Sequence, residues 1–342
     1  MTAMLKPVLA RLGRGETLGV ADAQEAFGVV MDGLGTPAQI GGMLMAMRVR
    51  GETVAELTGA VTAMRARMTP VQAPADAMDV CGTGGDGAAS LNISTAVTFV
   101  LAACGVKVAK HGNRALSSKA GGADVLMALG VNIEPPMARL SGILAEVGCV
   151  FLFAPRHHPA LRHAAPVRVE LGTRTIFNLT GPMANPAGVK RQLIGVFDPA
   201  WLRPVAETLR DLGTETAWVV HSLGLDELTL AGESRVAALK DGEISEFCVT
   251  AADAGLAPVP LEAIKGGDAA ENAAALRAML EGARGGYRDT ILFNTAAALI
   301  VAGVVRDLPD GVARAAAAID SGAALRVLET LKTASEGRDF VK

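Results

Sequence analysis

Four stretches of the chain hold residues whose types and spacing could do chemistry on a polyanion. Gly82-Thr83-Gly84-Gly85-Asp86-Gly87 follows a short β-like run. Glycines there let backbone N–H groups approach an anion closely. The order is neither a Walker pattern nor a clean dinucleotide fingerprint, so the stretch alone reads as a phosphate loop or as an ordinary turn. Asn92-Ile93-Ser94-Thr95 opens an apolar helical pattern. It reads as a plain N-cap or, beyond that, as a phosphate seat at the positive end of the helix, where the Ser94 hydroxyl could ligate a Mg²⁺ held by a diphosphate. Lys110-His111-Gly112-Asn113-Arg114-Ala115-Leu116-Ser117-Ser118 gathers two cations, an amide and two hydroxyls around one glycine at a strand end. The alternatives are a solvated charged loop and a set of phosphate contacts. Asp226-Glu227 follows another strand. Such a pair is a surface acidic patch by itself, but it becomes a Mg²⁺ site beside phosphate loops, because Mg²⁺ takes oxygen ligands and shares its shell with substrate phosphates.

A fifth stretch has a different chemistry. His157, His158 and His163 fall within seven residues and invite a zinc reading. His158 and His163 are five apart, however, and no carboxylate or cysteine accompanies them at metalloprotease spacing, so zinc is not assigned. Arg168 offers a planar fork that matches a carboxylate; its alternative is a surface ion pair.

The elements that must position these residues are legible in part. The 342 residues, half of them hydrophobic, suffice for a large core and predict one large domain plus a smaller one. Residues 1–70 read as all-helical. Thr36-Pro37-Ala38-Gln39 has a capping-box pattern, followed by Ile40, Met43, Leu44 and Met47 on one side. A second start at Thr53, with Glu56 three residues on, precedes Val54, Leu57, Val61, Met64 and Met68 at helical spacing. Helices this short must pack on a larger body or a second subunit. Pro70–Pro74 reads as a linker. Beyond it, strands over 78–81, 106–109, 150–153, 193–197 and 217–220 are expected, with helices over 94–104, 120–129, 139–147, 269–280 and 290–304. Asp241-Gly242 predicts a hairpin between 236–239 and 243–247. The alternation argues an α/β fold with a mostly parallel central sheet covered on both faces, whose ligands lie at the carboxyl ends of strands.

Composition excludes several classes. A net charge of −3 with pI about 6.0 provides no field for nucleic acid, and one Tyr and two Trp make no base-stacking platform. Cys81, Cys104, Cys149 and Cys248 are widely spaced and read as reduced thiols. No apolar run reaches the roughly 18–20 residues of a membrane span, and no signal-peptide pattern is seen. A cytoplasmic protein bound neither to membrane nor to nucleic acid is expected.

The motifs GTGGD (82–86), NIST (92–95), KHGNRALSS (110–118), HHPALRHAAPVR (157–168), RTIFNLTGPMANP (174–186), GLDEL (224–228) and RDTILFNTAAAL (288–299) together resemble the anthranilate phosphoribosyltransferases over essentially the whole chain. GTGGD by itself is shared with the related pyrimidine nucleoside phosphorylases. The resemblance implies a nucleoside phosphorylase/phosphoribosyltransferase-like fold. Its small helical domain, 1–70, is joined by a segment near 155–170, and its α/β domain, 75–342, carries the phosphoribosyl pyrophosphate (PRPP) and metal site. It also implies a homodimer formed through the helical domain.

For residues, the resemblance implies PRPP contacts from Gly82, Gly85, Asp86, Ser90, Asn92, Ser94, Thr95, Lys110, His111, Gly112, Asn113, Arg114, Ser117 and Ser118. Anthranilate would meet Gly82, Asn113, His158, Gly181 and Arg168, the last facing its carboxylate, and Mg²⁺ would be held by Ser94, Asp226 and Glu227. Two departures stand out: Ser90 replaces a frequent Thr, and Ala120-Gly121-Gly122 replaces a frequent Ser-Gly-Ser, which removes a side-chain contact to PRPP. The implied reaction transfers the phosphoribosyl group to the anthranilate amine, a step of tryptophan biosynthesis. The rival readings are a pyrimidine nucleoside phosphorylase and a non-catalytic relative that binds nucleic acid.

Overall fold

Two capping boxes organise the N-terminal helices α1 (Lys6–Leu12), α2 (Val20–Met31), α3 (Pro37–Arg50) and α4 (Val54–Arg65). The computed structural model describes residues 5–84, 90–115 and 119–337. Thr36 and Gln39 exchange side-chain bonds with each other's backbone N–H groups to start α3, and Thr53 and Glu56 do the same for α4. These are the starts the sequence predicts. Glu56 does more than cap. It is fully buried and accepts from the Leu18 N–H at 2.9 Å and from the Arg50 guanidinium, so its charge is paired and its lone pairs are filled. One carboxylate thus fixes the α1–α2 connection against α4.

The sheet has seven strands: β1 (Met78–Gly82), β2 (Val108–Gly112), β3 (Cys149–Phe153), β4 (Arg191–Gly195), β5 (Thr216–His221), β6 (Ser234–Lys240) and β7 (Glu243–Val249). Their order is β3-β2-β1-β4-β5-β6-β7. The first five are parallel, and β6 and β7 add an antiparallel edge. The expected hairpin forms at Asp241 (φ 51°) and Gly242 (φ 83°), a turn with positive φ at both central residues.

Alternate residues of the strands enter two separate cores. Val80, Leu193, Trp218 and Val220 face one, with helix α5 (Ile93–Ala103) and the helices Ala269–Leu280 and Gly286–Val301. Cys81, Ile194, Ala217 and Val219 face the other, with Leu202–Asp211 and α1–α4. This two-sided burial is why the strands read as apolar runs with little polar alternation. The later segment Pro159–His163 packs on α2, and Ala165–Leu171 packs on α3.

One expectation needs correction. Lys110, His111 and Gly112 are not loop residues: β2 continues to Gly112 because all three pair in parallel with Phe151, Leu152 and Phe153 of β3. A lysine and a histidine at its end disguise a strand that is buried nearly to its tip. The chain winds outward from β1 through β2 to β3 and then returns to the far side of β1 as β4. The carboxyl ends of β1 and β4 therefore border a topological switch point, where open α/β sheets bind ligands.

Candidate active site

A cavity of about 340 Å³ opens at that switch point. Its floor is made by period-two alternation at the end of β2. Lys110 points toward α5, where its Nζ donates to Val80 O at 2.6 Å and to Ser94 Oγ at 3.1 Å. His111 points to the other face, with Nδ1 3.2 Å from the carbonyl of Gly181 in the helix Phe177–Met183. One strand thus delivers a cation to one side of the cavity and an imidazole to the other.

The start of α5 is not the simple cap that Asn92 suggests. The Asn92 side chain makes no bond to the first-turn amides. It donates instead to Ala120 O at 3.3 Å and accepts from Asn272 Nδ2 at 2.9 Å, tying α5 to the segment before α6 (Gly122–Ala128) and to Ala269–Leu280. The vacated capping role passes to Glu227, whose Oε1 accepts from the Ser94 N–H at 3.1 Å. A carboxylate at a helix N-terminus is favoured by both the amide and the dipole.

Asp226 is held just as closely. Its Oδ2 accepts from the Gly84 N–H at 2.7 Å. A Cβ on Gly82 would stand 2.1 Å from Asp226 Oδ2, and one on Gly195 would stand 1.4 Å from the Asp226 carbonyl oxygen. The ends of β1 and β4 are glycine because Asp226 occupies the space a side chain would need. Gly112 also has a packing reason: a Cβ there would lie 2.7 Å from the Phe151 ring.

The other predicted residues converge on the same cavity. Asn113 and Arg114 line it, with Asn113 Oδ1 accepting the Arg114 N–H at 2.8 Å and the Arg114 guanidinium carbon 5.8 Å from the Phe153 ring centre. Ser90 lines it and bridges to Lys265; Thr95 lines it from the first turn of α5. A Cβ on Gly122 would sit 3.0 Å from Thr95 Oγ1, so this departure lies inside the site. Gly85, Asp86, Ser117 and Ser118 lie outside the described residues.

The far end of the cavity holds His158, Gly181 and Arg168. The His111 and His158 rings are 5.1 Å apart, and the Nε2 atom of each is buried without a partner among the described residues. Burial pushes His111 down to about 3, with His158 adding to it, and burial pushes His158 down to about 4. Both are neutral at pH 7. Arg168 stacks 5.4 Å over the Phe177 ring and, among the described residues, faces no carboxylate. Burial disfavours its charge, so an incoming anion would be welcome. Gly181 has open space where a Cβ would point. The three histidines of the HHPALRH stretch part company: His157 Nδ1 meets Thr69 O at 2.9 Å, His158 enters the cavity, and His163 packs over Gly33.

Several supporting residues are absent from the sequence expectations. Asp79, the second residue of β1, is fully buried; its Oδ1 accepts the His111 N–H at 3.2 Å and its Oδ2 accepts from Asn185 at 2.8 Å. Burial raises its carboxyl to about 6, against the pull of Lys110. Asp124 accepts the N–H groups of Ala115 and Gly121 at 3.0 and 2.9 Å and so closes the loop that follows β2. A charged residue inside an apolar strand was the available signal for Asp79; nothing local marks Asp124.

The donor set suits a hard cation. Asp226, Glu227 and Ser94 offer only oxygen, and Ser94 Oγ keeps a lone pair beyond the bond from Lys110. Among the described residues no group of three or more His, Cys, Asp or Glu is placed to hold a metal alone. The protein can supply part of a coordination shell, with phosphate oxygens and water completing it.

Comparison with known proteins gives a consistent result. A family model described as "Glycosyl transferase family, a/b domain" matches residues 74–325, and its partner, "Glycosyl transferase family, helical bundle domain", matches residues 6–68. A relative from Brucella suis named anthranilate phosphoribosyltransferase is 56% identical over 336 residues, covering 98% of this chain and 99% of that protein. The crystal structure of anthranilate phosphoribosyltransferase from Thermus thermophilus is similar with a TM-score of 0.92 at 43% identity, covering 96% of this chain and 99% of the other. The Saccharomyces cerevisiae enzyme of the same name, in complex with PRPP and Mg, is similar with a TM-score of 0.91 at 25% identity, covering 99% of both chains.

Proposed function

The chain belongs to the anthranilate phosphoribosyltransferase family, and from that premise we propose how its own residues transfer the phosphoribosyl group of PRPP to the anthranilate amine. The products are N-(5-phosphoribosyl)anthranilate and diphosphate, and the step belongs to tryptophan biosynthesis. The observation that carries the reading is one cavity with cations and helix amides at one end and, at the other, Arg168, which faces no carboxylate among the described residues.

PRPP lies at the first end. Gly82, Ser90, Asn92, Ser94, Thr95, Lys110, His111, Gly112, Asn113 and Arg114 surround its phosphates and ribose, together with Gly85, Asp86, Ser117 and Ser118. Lys110 and Arg114 oppose the negative charge, and the α5 N-terminus adds its dipole. Ser94, Asp226 and Glu227 would hold Mg²⁺, and the chemistry it would supply there is charge neutralisation on the diphosphate. Anthranilate enters beside Gly82, Asn113, His158 and Gly181, with its carboxylate on the Arg168 fork.

The amine nitrogen attacks C1 of the ribose as the C1–diphosphate oxygen bond breaks, and the nitrogen then gives its proton to the released diphosphate or to water. The buried imidazoles of His111 and His158 are too weakly basic to drive that loss, and an arylamine with a free lone pair does not need them to. Charge stabilisation and alignment supply the acceleration.

The division into a helical unit, 1–70 with 155–170, and an α/β unit, 75–342, is part of the same reading. So is a homodimer through the helical unit, supported by Val49 (82% exposed) and Val169 (80% exposed) on the neighbouring helices Pro37–Arg50 and Ala165–Leu171. A cytoplasmic location fits the described helices, none of which is long and apolar enough to cross a membrane.

The test is direct: anthranilate fluorescence should fall when PRPP and Mg²⁺ are added to the protein. No fall would remove the reading. Phosphorolysis of a pyrimidine nucleoside, or salt-sensitive nucleic-acid binding, would replace it with one of its rivals.

A further inference from the structure

The residues that follow β5 are in neither helix nor strand, yet they carry Asp226 and Glu227. His221 ends the strand, and Ser222 and Leu225 close a tight turn through Leu223 (φ 48°) and Gly224 (φ 87°). From there to Thr229 no ladder fixes the backbone. Side chains fix it instead. Ser222 Oγ donates to Glu227 O at 2.6 Å. The next residue, Leu228, has both backbone groups taken by one amide: Asn294 Oδ1 accepts its N–H at 3.0 Å and Asn294 Nδ2 donates to its carbonyl at 2.9 Å.

Asn294 is fully buried on the long helix Gly286–Val301, and its second Nδ2 bond, to Thr290 O at 2.9 Å, locks the amide to that helix. The helix packs on β4 and α5, the elements that border the cavity. The side-chain amide therefore performs the task of a missing strand. It refers the carboxylate pair to the same rigid layer that holds the Ser94 amide.

We propose that Asn294 is a positioning residue that sets where Asp226 and Glu227 stand toward a bound metal–diphosphate, with Ser222 holding the same segment from the β5 side. Asn294 does not touch substrate; it acts through the Glu227–Leu228 backbone. Without it, Leu228 would have both its backbone groups released, and Glu227 Oε1 would lose its register with the Ser94 N–H. The inference rests on the assignment of Asp226 and Glu227 to metal–diphosphate, so its test begins with that binding.

Mg²⁺–diphosphate is titrated calorimetrically into the full-length protein and into Asn294→Ala, Ser222→Ala and Thr295→Ala. Thr295 is the next residue on the helix, fully buried, with a hydroxyl that has no partner among the described residues, and it controls for any change to the buried face of this helix. Asn294→Ala should weaken Mg²⁺–diphosphate binding about tenfold or more, the usual cost of losing a partner that orients a metal ligand. Its anthranilate KM should stay within about twofold, because Arg168 and His158 lie on other elements. Thr295→Ala should leave the diphosphate affinity unchanged. If the unaltered protein fails to bind Mg²⁺–diphosphate, the site assignment falls and the inference with it. If the unaltered protein binds but Asn294→Ala binds equally well, the inference alone falls. Should Asn294→Ala not fold, Ser222→Ala decides: a selective loss of diphosphate affinity supports the clamp, and an unchanged affinity overturns it.

Discussion

The Ser94 N–H donates to Glu227 Oε1 at 3.1 Å, so a carboxylate 133 residues downstream caps the helix that opens the Lys110 end of the cavity. The contact joins two motifs that are unremarkable apart. It also puts a hydroxyl and two carboxylates within one small volume, with Lys110 beside them.

Removing both carboxylates should abolish metal-dependent turnover. Asp226→Ala combined with Glu227→Ala is expected to lower kcat by two orders of magnitude or more, about 2.7 kcal/mol or more of transition-state stabilisation. Anthranilate fluorescence decay at saturating PRPP measures it. Unchanged kcat would exclude Asp226 and Glu227 from the metal site.

Gly195→Ala should damage the fold, since its Cβ would overlap the Asp226 carbonyl, a backbone atom with nowhere to go. A loss of about 1–3 kcal/mol is expected from urea unfolding. Gly82→Ala meets a side-chain oxygen instead, so the Asp226 carboxylate can swing away at the expense of its bond from Gly84. Its activity should fall more than its stability. Equal stability losses for the two variants would contradict this account of the strand ends.

Arg168→Lys keeps the charge and loses the planar fork and the stacking on Phe177. The anthranilate KM should rise about tenfold, which corresponds to about 1.4 kcal/mol, while the PRPP KM stays nearly constant. A rise in both constants would place Arg168 outside the acceptor end.

Stability should fall as the solution is acidified below about pH 6.5. His111 and His158 are held down to about 3 and about 4, chiefly by burial, so the unfolded chain binds more protons between those values and its own ~6.5. Asp79 works in the opposite sense: raised to about 6 by burial, it stabilises the fold below its unfolded ~3.9 and loses that contribution as pH rises through 6. Two imidazoles oppose one carboxyl, so the net slope follows the histidines. Urea titrations at pH 7 and pH 5 should show the decline, and His158→Gln should make it shallower. A variant with an undiminished slope would show that His158 is not the group responsible.

The helix starts at Thr36 and Thr53 are legible because capping is a local exchange between residues three apart. The Asp241-Gly242 hairpin is legible because its turn requires positive φ at adjacent positions. The end of β2 misleads because the polar side chains of Lys110 and His111 suggest solvent, whereas period-two alternation sends each into a bond inside the protein on opposite faces of the sheet.

By itself the sequence determined the elements, the two-sided parallel sheet and the residue types that suit a phosphoribosyl donor and an acidic acceptor. These depend on local propensity, hydrophobic period and motif order, all written along the chain. Only the tertiary structure decided that Glu227 caps α5, that Asp226 fills the space left by Gly82 and Gly195, and that Asn294 holds the Leu228 backbone. Each of these joins residues separated by tens to more than a hundred positions. Their energies arise from burial and from satisfying backbone groups that no strand or helix reaches, and neither exists until the layers have packed.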